Sequence, residues 1–336
     1  FCKFYYTDYQ GNRRQKLKRG FALKREADAW EREFIAGAAF QPDMTFKAFY
    51  ALFSRDTSPR LKKSTLVTRE YIYNNHLAPF FDDMPLDTID GVTVQRWQNE
   101  LIEQGFQPTH LNNIERALSA VFNHAVRFYD LRRNPCRIAG NVGSKQPAQA
   151  MEFWTLDEYR EAIEYVSNIK ARTAIALLFW TGLRKGELLA LTWKDINLEA
   201  KTLRVNKSLT RLQGESLITS PKTKHSIRTI GLPDQAIQAL TGYRAVCFDT
   251  RAKIPVFPWE KRFIENGMQE CFDAGAKRIR VHDLRHSHAS LLIELGYSAL
   301  LIAKRLGHGK IETTLNTYSH LWPNKEGEML EHISSL

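Results

Sequence analysis

The spacing of apolar residues changes along the chain, and this change limits the folds that are open to it. Residues 44–139 carry apolar side chains at helical spacing, as at Trp97 and Leu101. Residues 140–150 have no such period and contain Gly, Ser and Pro, which is typical of a linker. Residues 151–336 mix helical with strand-like spacing. A chain of 336 residues is also too long for one small core. We therefore predict two or three domains, mainly α-helical with small β-sheets.

Residues 1–40 are predicted to form a β-hairpin followed by one helix. Residues 4–6 and 15–18 have the pattern of two strands, which residues 8–12 join in a turn, and residues 24–34 follow as a helix. Such a unit buries little apolar surface and is marginal by itself. Basic and aromatic residues alternate in it, which fits a DNA-binding β-ribbon and an ordinary exposed hairpin equally well.

The charge balance favours a polyanionic partner. Lys and Arg number 48 against 37 Asp and Glu, a formal net charge of +11, and this excess favours contacts with phosphates. A basic protein without a nucleic-acid partner is the other interpretation. No apolar run is long enough to cross a membrane, and the four cysteines have neither zinc-site nor disulfide-framework spacing. We therefore expect a protein of the reducing cytoplasm with no membrane partner.

Two polar sets in the helical region are candidates for DNA contact. One lies at a predicted helix start with Ser64 as the N-cap, where backbone N–H groups bind phosphate well. The other is a polar face at the start of a helix predicted over 108–129. An ordinary solvated surface explains each set equally well. The candidates are Lys62, Lys63, Ser64 and Thr65 in the first set and Thr109, Asn112, Asn113 and Arg116 in the second.

Residues 151–336 are predicted to combine a helical core with short strands. Residues 155–158 resemble a capped helix start, and a buried helix over 174–180 is interrupted at Gly182. Residues 326–336 have apolar residues at helical spacing and are predicted to form a tail helix. Short strands are predicted over 202–209, 216–219 and 227–232, and further helices from His282, Leu300 and Ile311.

Two basic positions in this region can bind or protonate a phosphate ester. Arg184 follows the helix-breaking Gly182 and begins the next helix, where its guanidinium can make two parallel hydrogen bonds to a phosphate. Lys222 lies in Pro-Lys-Thr-Lys between two predicted strands, and a lysine at a hairpin tip can protonate the leaving 5′ oxygen of a cut strand. Taken alone, each residue is more commonly an ordinary solvated side chain.

The segment His-Asp-Leu-Arg-His-Ser-His holds two more candidates. His282 and Arg285 are three residues apart, so on a helix they share a face and can grip one phosphate. The alternative is a zinc-binding helix, because His282 and His286 are four residues apart. Two features oppose zinc: the acid between the histidines is Asp283 rather than Glu, and Arg285 would bring a cation close to the metal.

Tyr318 is the candidate nucleophile. It lies ten residues after His308, which ends the segment Leu-Gly-His. A lone tyrosine is most often part of a core or a surface, and a free phenol with a pKa of about 10 is a poor nucleophile at neutral pH. It becomes reactive where nearby cations stabilise the phenolate and the charged transition state. The three preceding motifs can supply those cations.

The order of these residues resembles the tyrosine recombinase family, which includes phage and conjugative-transposon integrases. The flanking Gly-Glu-Leu-Leu-Ala-Leu-Thr-Trp and the Lys-Thr-Lys hairpin agree with this resemblance. It implies an arm-site DNA-binding remnant over 1–40 that lacks its first strand, a helical core-site DNA-binding domain over 44–139, a linker over 140–150 and a mixed α/β catalytic domain over 151–336. The matching positions are Arg184, Lys222, His282, Arg285, His308 and Tyr318.

The resemblance also implies how the phosphate is held. Arg184 and Arg285 would clamp the scissile phosphate, while His282 and His308 would hydrogen-bond it and assist proton movement. Glu187 is expected to support the helix that carries Arg184 rather than to take part in the chemistry.

The remaining two positions would make and break bonds. Lys222 would be the general acid for the departing 5′ hydroxyl, and Tyr318 would form a 3′-phosphotyrosine link. A 5′ hydroxyl from the partner duplex would then reseal the strand. The link retains the energy of the phosphate ester, so neither a cofactor such as ATP nor a metal is expected.

Three other functions are compatible with parts of this pattern. A type IB topoisomerase shares the chemistry but relaxes DNA as a monomer, and the modules ahead of the catalytic region favour the recombinase. A DNA-binding regulator without catalysis is opposed by the complete set of six candidates. A two-metal transposase needs a carboxylate cluster that we cannot identify in the sequence. The resemblance instead implies a homotetramer on two double-stranded DNA duplexes, bound at core and arm sites, with an excisionase-type directionality factor as a candidate partner. It also implies that the tail over 326–336 packs on a neighbouring subunit, and packing on its own domain is the alternative.

Overall fold

The computed structural model describes most of the chain and divides it into two compact units. These units comprise residues 1–149 and 150–336. The predicted turn over 8–12, Lys222 and nearly all of the predicted tail helix lie outside the described residues. The described ranges are 1–7, 13–21, 23–37, 44–143, 151–221, 226–258, 260–322 and 333–335.

The first unit begins with the hairpin and helix that the sequence predicts. Strands β1 (Cys2–Thr7) and β2 (Arg13–Lys18) pair antiparallel, and helix α1 (Lys24–Gly37) follows. Phe4 and Ala27 are buried in a small apolar cluster between the hairpin and the helix. The prediction of a β-hairpin plus one helix is therefore confirmed.

The rest of the first unit is helical, as predicted. Its core is built from aromatic and aliphatic side chains such as Phe46, Trp97 and Phe122. The Asp90 side chain accepts a hydrogen bond from the Thr93 amide and so caps the helix that follows. The helices are α2 (Phe46–Thr57), α3 (Lys63–Ile72), α4 (Ala78–Phe81), α5 (Gly91–Glu103), α6 (Pro108–Phe128) and α7 (Pro135–Ala139).

The predicted N-cap of α3 is wrong by two residues. Lys62, with φ −72° and ψ 148°, is the last extended residue before the helix. Ser64 lies inside the first turn, where its carbonyl oxygen accepts a hydrogen bond from the Thr68 hydroxyl. A residue with helical backbone geometry cannot act as the N-cap, so Ser64 does not cap this helix.

The second unit is a helical core with small antiparallel sheets. The predicted helix start at Thr155 is confirmed, because its side chain and that of Glu158 cap each other's backbone amides. The buried helix α9 supplies the centre of the core, with Ile175 and Phe179 fully buried. The helices are α8 (Leu156–Glu164), α9 (Ile169–Thr181), α10 (Lys185–Leu189), α11 (Asp234–Val246), α12 (Arg262–Asp273), α13 (Asp283–Glu294), α14 (Ala299–Leu306) and α15 (Ile311–Tyr318).

The strands form two separate sheets, so the prediction of one strand over 202–209 is wrong. Asn206 and Lys207 interrupt it, because both side chains bind the buried carboxylate of Asp195. The strand before this break joins a three-stranded sheet, and the strand after it forms a hairpin. The first sheet contains β3 (Ile196–Asn197), β4 (Thr202–Val205) and β7 (Arg228–Gly231); the hairpin contains β5 (Ser208–Leu212) and β6 (Glu215–Thr219).

Among the described residues, no helix is long and apolar enough to cross a membrane.

Candidate active site

Arg184 begins helix α10 directly after a sharp turn. Gly182 ends α9 in the left-handed region at φ +65°, which turns the chain away from the helix axis. Glu187 accepts hydrogen bonds from the Arg184 backbone amide at 3.0 Å and from its Nη1 at 2.9 Å. The turn and this carboxylate together orient the Arg184 side chain, which is about 38% exposed.

Glu187 also binds a second arginine from the neighbouring sheet. Arg228 on β7 donates from Nη2 and Nη1 to the two carboxylate oxygens, at 2.9 and 3.1 Å. Burial alone would raise the pKa of Glu187, but hydrogen bonds and charge from Arg228 and Arg184 hold it below its usual range. Glu187 is therefore a buried carboxylate shared by two guanidinium groups, which fits the supporting role predicted for it.

Arg285 is buried in helix α13, with only 3% of the residue exposed. Its Nη1 donates to the carbonyl oxygen of Gly182 at 2.6 Å, and its Nη2 donates to that of Leu306 at 2.8 Å. Burial, followed by the charge of Arg184, lowers its pKa to about 9. Two backbone carbonyls therefore fix a cation in an environment that opposes its charge.

The two candidate histidines lie at the ends of loops. His282 immediately precedes α13, and its backbone carbonyl accepts a hydrogen bond from the Arg285 amide. His308 follows Gly307, and its Nδ1 is 2.7 Å from the Thr314 hydroxyl oxygen. Burial lowers the pKa of both rings, with the charge of Arg285 as the next cause, and the pKa of His308 falls to about 4.

Tyr318 ends helix α15 and is 1% exposed. Its Oη lies 2.8 Å from Nδ1 of His286. Burial raises the pKa of the phenol to about 12, while the positive charges of Arg285 and Arg184 act in the opposite direction. The phenol therefore lies within the electrostatic reach of both arginines.

The structure thus brings together five of the six sequence candidates, in one electropositive cluster. The charges of Arg184 and Arg285 each influence the pKa of His282, His308 and Tyr318. Such a cluster favours a bound anion, because a phosphate would relieve the repulsion between its cations.

The sixth candidate, Lys222, lies outside the described residues, as noted above. For the zinc alternative, the described residues contain no group of three or more His, Cys, Asp or Glu side chains that could hold a metal ion.

The candidate DNA-contact residues lie on the surface of the first unit, with one exception. Lys62, Lys63 and Thr65 are exposed at the start of α3, and Ser64 is half-buried. On α6, Asn113 and Arg116 are exposed and Thr109 is half-buried. Asn112 is only 5% exposed, because it belongs to the face of α6 that packs inward, and so it does not contribute to the predicted polar face.

Three residues of the site were not predicted from the sequence. Arg228 binds Glu187, Thr314 binds His308, and His286 binds Tyr318. Only Thr314 had a usable signal, because it lies four residues before Tyr318 and so shares its helix face. The contacts of Arg228 and His286 depend on elements that are distant in sequence.

Comparisons with known proteins identify the class to which this fold and cluster belong. Residues 152–325 match the phage integrase family, residues 45–102 match the N-terminal SAM-like domain of phage integrases, and residues 1–37 match an arm DNA-binding domain. The ICEBs1 integrase of Bacillus subtilis is 30% identical over 315 residues, which cover 87% of this chain and 83% of that protein. A XerC-like tyrosine recombinase of Caldanaerobacter subterraneus is 26% identical and covers 93% of this chain and 90% of that protein.

Solved structures share the fold. The Tn1549 transposon integrase, in complex with a circular intermediate DNA, superposes with a TM-score of 0.74 at 21% identity, covering 86% of this chain and 99% of that one. A lambda integrase dimer bound to a core site has a TM-score of 0.62 at 18% identity, and the match covers 84% of this chain and 97% of that one.

These matches define a site-specific DNA recombinase that cleaves and rejoins DNA strands. The chain belongs to the phage integrase family, and it is a tyrosine recombinase.

Proposed function

We propose that Tyr318 is the nucleophile of this recombinase and that Arg184, Arg285, His282 and His308 bind the scissile phosphate. The observation that carries this proposal is the buried phenol within the field of two arginines. Such cations stabilise both a phenolate and the charge that develops on a phosphate in the transition state. His282 and His308 are two further ring donors once a phosphate anion raises their pKa values.

The proposed cleavage step transfers one phosphate ester to the protein. Tyr318 Oη gives its proton to the neutral ring of His282 or His308 and forms a bond to phosphorus. The bond from phosphorus to the 5′ oxygen breaks, and the 3′ phosphate remains on the tyrosine. Lys222 gives a proton to the departing 5′ oxygen. The number of phosphate ester bonds is unchanged, so the step needs no energy from ATP.

Resealing reverses this chemistry with a different strand. A 5′ hydroxyl from the partner duplex gives its proton to Lys222 and attacks the phosphotyrosine. A new phosphodiester forms, and Tyr318 leaves and takes back its proton from the imidazole. Repeated on both strands, the exchange would integrate or excise a mobile DNA element. The relatives named as the ICEBs1 integrase and the transposase from transposon Tn916 support this proposal.

A DNA substrate that loses its 5′ hydroxyl after cleavage tests the proposal, because it traps the covalent complex. We expect a trapped complex with the unmodified chain, and none with Tyr318→Phe, although that variant still binds the same DNA. A covalent complex formed by Tyr318→Phe would overturn the assignment of the nucleophile.

The DNA partners are proposed from the order of the units. Residues 44–139 would bind the core site, supported by the exposed basic side chains of Lys62, Lys63 and Arg116. Residues 1–40 would bind an arm site, supported by the arm DNA-binding match, and residues 140–150 would link core binding to catalysis over 151–336. The reaction would take place in the bacterial cytoplasm. An excisionase-type factor would set the direction of recombination, towards integration or excision.

A homotetramer on two duplexes is the proposed working assembly. It is supported by an apolar groove of about 1180 Å³ in the catalytic unit, lined in part by Leu295, Leu300 and Leu301. Leu295 and Leu300 are 61% and 67% exposed, so they present apolar surface of the kind that marks an interaction site. We propose that the groove receives the C-terminal segment over 326–336 of a second copy, in which Met329, Leu330 and Ile333 are apolar residues at helical spacing. A lambda integrase tetramer bound to a Holliday junction provides a precedent, at a TM-score of 0.60.

A charge placed in the groove tests this assembly. We expect Leu300→Glu to bind one core site normally but to form few complexes that contain two duplexes, as seen by native gel electrophoresis. Val246→Glu is the matched control, because Val246 is 62% exposed but lies outside the groove. Two-duplex complexes at the normal level with Leu300→Glu would contradict the proposal.

A further inference from the structure

His286 makes a contact that the proposed chemistry does not use. Its Nδ1 lies 2.8 Å from the Oη of Tyr318, within normal hydrogen-bond distance. His286 lies on α13 and Tyr318 on α15, and the two residues are 32 positions apart in sequence. Both are enclosed: Tyr318 is 1% exposed, and the His286 side chain is 15% exposed. Solvent therefore competes little for this hydrogen bond.

The surroundings of the ring favour one direction of the hydrogen bond. His286 Nε2 lies 3.9 Å from Oδ1 of Asp283, too far for a hydrogen bond but close enough to favour a proton on Nε2. Asp283 is buried, and the Arg280 side chain donates to both of its oxygens. With the proton on Nε2, Nδ1 is left with a lone pair and accepts the phenol O–H.

The acidities of the two groups keep the proton on the phenol before attack. Burial, followed by the charge of His282, lowers the pKa of His286 to about 4. Burial raises the pKa of Tyr318 to about 12. The imidazole is therefore neutral and the phenol protonated at neutral pH, so the contact is a neutral hydrogen bond that orients Oη.

Hydrogen bonds close to His286 and Tyr318 hold the two helices, α13 and α15, that carry them. Arg285, which precedes His286, is bound to the carbonyl oxygens of Gly182 and Leu306. On α15, Thr314 lies one turn before Tyr318 and is bound to His308. The acceptor of the phenol and a cation proposed to bind the phosphate therefore occupy adjacent positions on one rigid helix.

We propose that His286 is a positioning residue for the nucleophile, holding the Oη of Tyr318 through its Nδ1 in a fixed place relative to Arg285. This inference rests on the proposed role of Tyr318. Loss of the acceptor would remove the hydrogen bond that fixes the position of Oη, and small misplacements of a reacting group slow a reaction strongly.

Two substitutions separate the hydrogen bond from the shape of the ring. His286→Phe keeps a ring of similar size without an acceptor, whereas His286→Asn puts an amide oxygen near the position of Nδ1. At saturating trapping substrate, we expect His286→Phe to form the covalent complex about tenfold or more slowly, with unchanged DNA affinity. We expect His286→Asn to recover most of the rate. A normal or faster rate with His286→Phe, or no recovery with His286→Asn at equal thermal stability, would overturn the inference.

Two controls complete the test. Tyr318→Phe in the same assay separates the two proposals: a covalent complex there defeats the proposed function, whereas its absence together with a normal His286→Phe rate defeats only this inference. A substrate with sulfur in place of the bridging 5′ oxygen removes the need for a proton on the leaving group. We expect that substrate to leave His286→Phe slow. Recovery of His286→Phe with it would assign His286 to the leaving group and overturn the positioning role.

Discussion

At the scale of single residues, one buried carboxylate organises the positive charges of the site. Glu187 holds Arg184 and Arg228 by hydrogen bonds of 2.9 to 3.1 Å. Arg228 is 7% exposed, so without Glu187 its charge would remain buried and unpaired. A neutral residue at position 187 would also release the guanidinium of Arg184. The binding of the scissile phosphate that we propose for Arg184 would then be weaker.

Glu187→Gln tests this arrangement. Removing one partner of a buried ion pair is costly, and we expect the free energy of unfolding to fall by about 3 kcal/mol. We also expect slower formation of the covalent complex. Chemical denaturation and the trapping assay measure the two effects.

The exposed pair of Lys201 and Asp234 is the matched control. Its side chains are 55% and 71% exposed, so Asp234→Asn is expected to change stability by less than about 1 kcal/mol. Equal effects of Glu187→Gln and Asp234→Asn would show that Glu187 has no special role.

At the scale of elements, the end of α9 brings the two candidate arginines together. Gly182 adopts φ +65°, and its carbonyl oxygen accepts a hydrogen bond from Arg285. A Cβ at this position would lie 2.7 Å from side-chain atoms of His288 and Leu306. The turn into α10 and Arg184 therefore requires glycine, for its backbone conformation and for its small size.

Gly182→Ala is expected to destabilise the fold by about 1–3 kcal/mol, because it combines a left-handed residue with steric overlap. Gly242→Ala is the control, and we expect it to change stability in the opposite direction. Gly242 lies within α11 with open space around it, so alanine there is expected to stabilise the helix by up to about 1 kcal/mol. Thermal denaturation compares the two, and a stabilised Gly182→Ala would contradict the account of the turn.

Elements that local chemistry determines were predictable from the sequence, and contacts between distant elements were not. The cap at Thr155 and the break at Gly182 follow from residues within one turn. The split of the strand predicted over 202–209 depends on Asp195, which precedes it and lies on another element. The hydrogen bond from Tyr318 to His286 likewise requires knowledge of how α13 and α15 pack.

At the scale of the whole molecule, buried histidines in and near the active site make the stability of the fold depend on pH. Burial is the largest cause of the low pKa values of His286 and His308, both about 4, and of His288, about 3. In the unfolded chain the same rings titrate near a pKa of about 6.5. The unfolded state therefore binds more protons than the folded state between these values.

The sign of the pH dependence follows from this difference. The stability that these rings contribute is complete above about pH 6.5 and is lost as the pH falls towards 4. We expect the free energy of unfolding to fall between pH 7 and pH 5, by about 1–2 kcal/mol for each ring. Denaturation curves at several pH values measure this loss.

Two variants separate these rings from other titrating groups. His286→Asn should reduce this loss of stability, because it removes one buried ring. His320→Gln, at an exposed position, should leave the loss of stability unchanged. Stability that is constant or rises as the pH falls to 5 would contradict the account.

The most direct test of the central claim is to locate the DNA on the protein. The covalent complex is trapped, digested with trypsin and nuclease, and analysed by mass spectrometry. We predict a nucleotide on Tyr318, within the tryptic peptide that covers residues 311–325. A nucleotide on any other peptide would contradict the claim that the phenol of Tyr318 attacks the DNA.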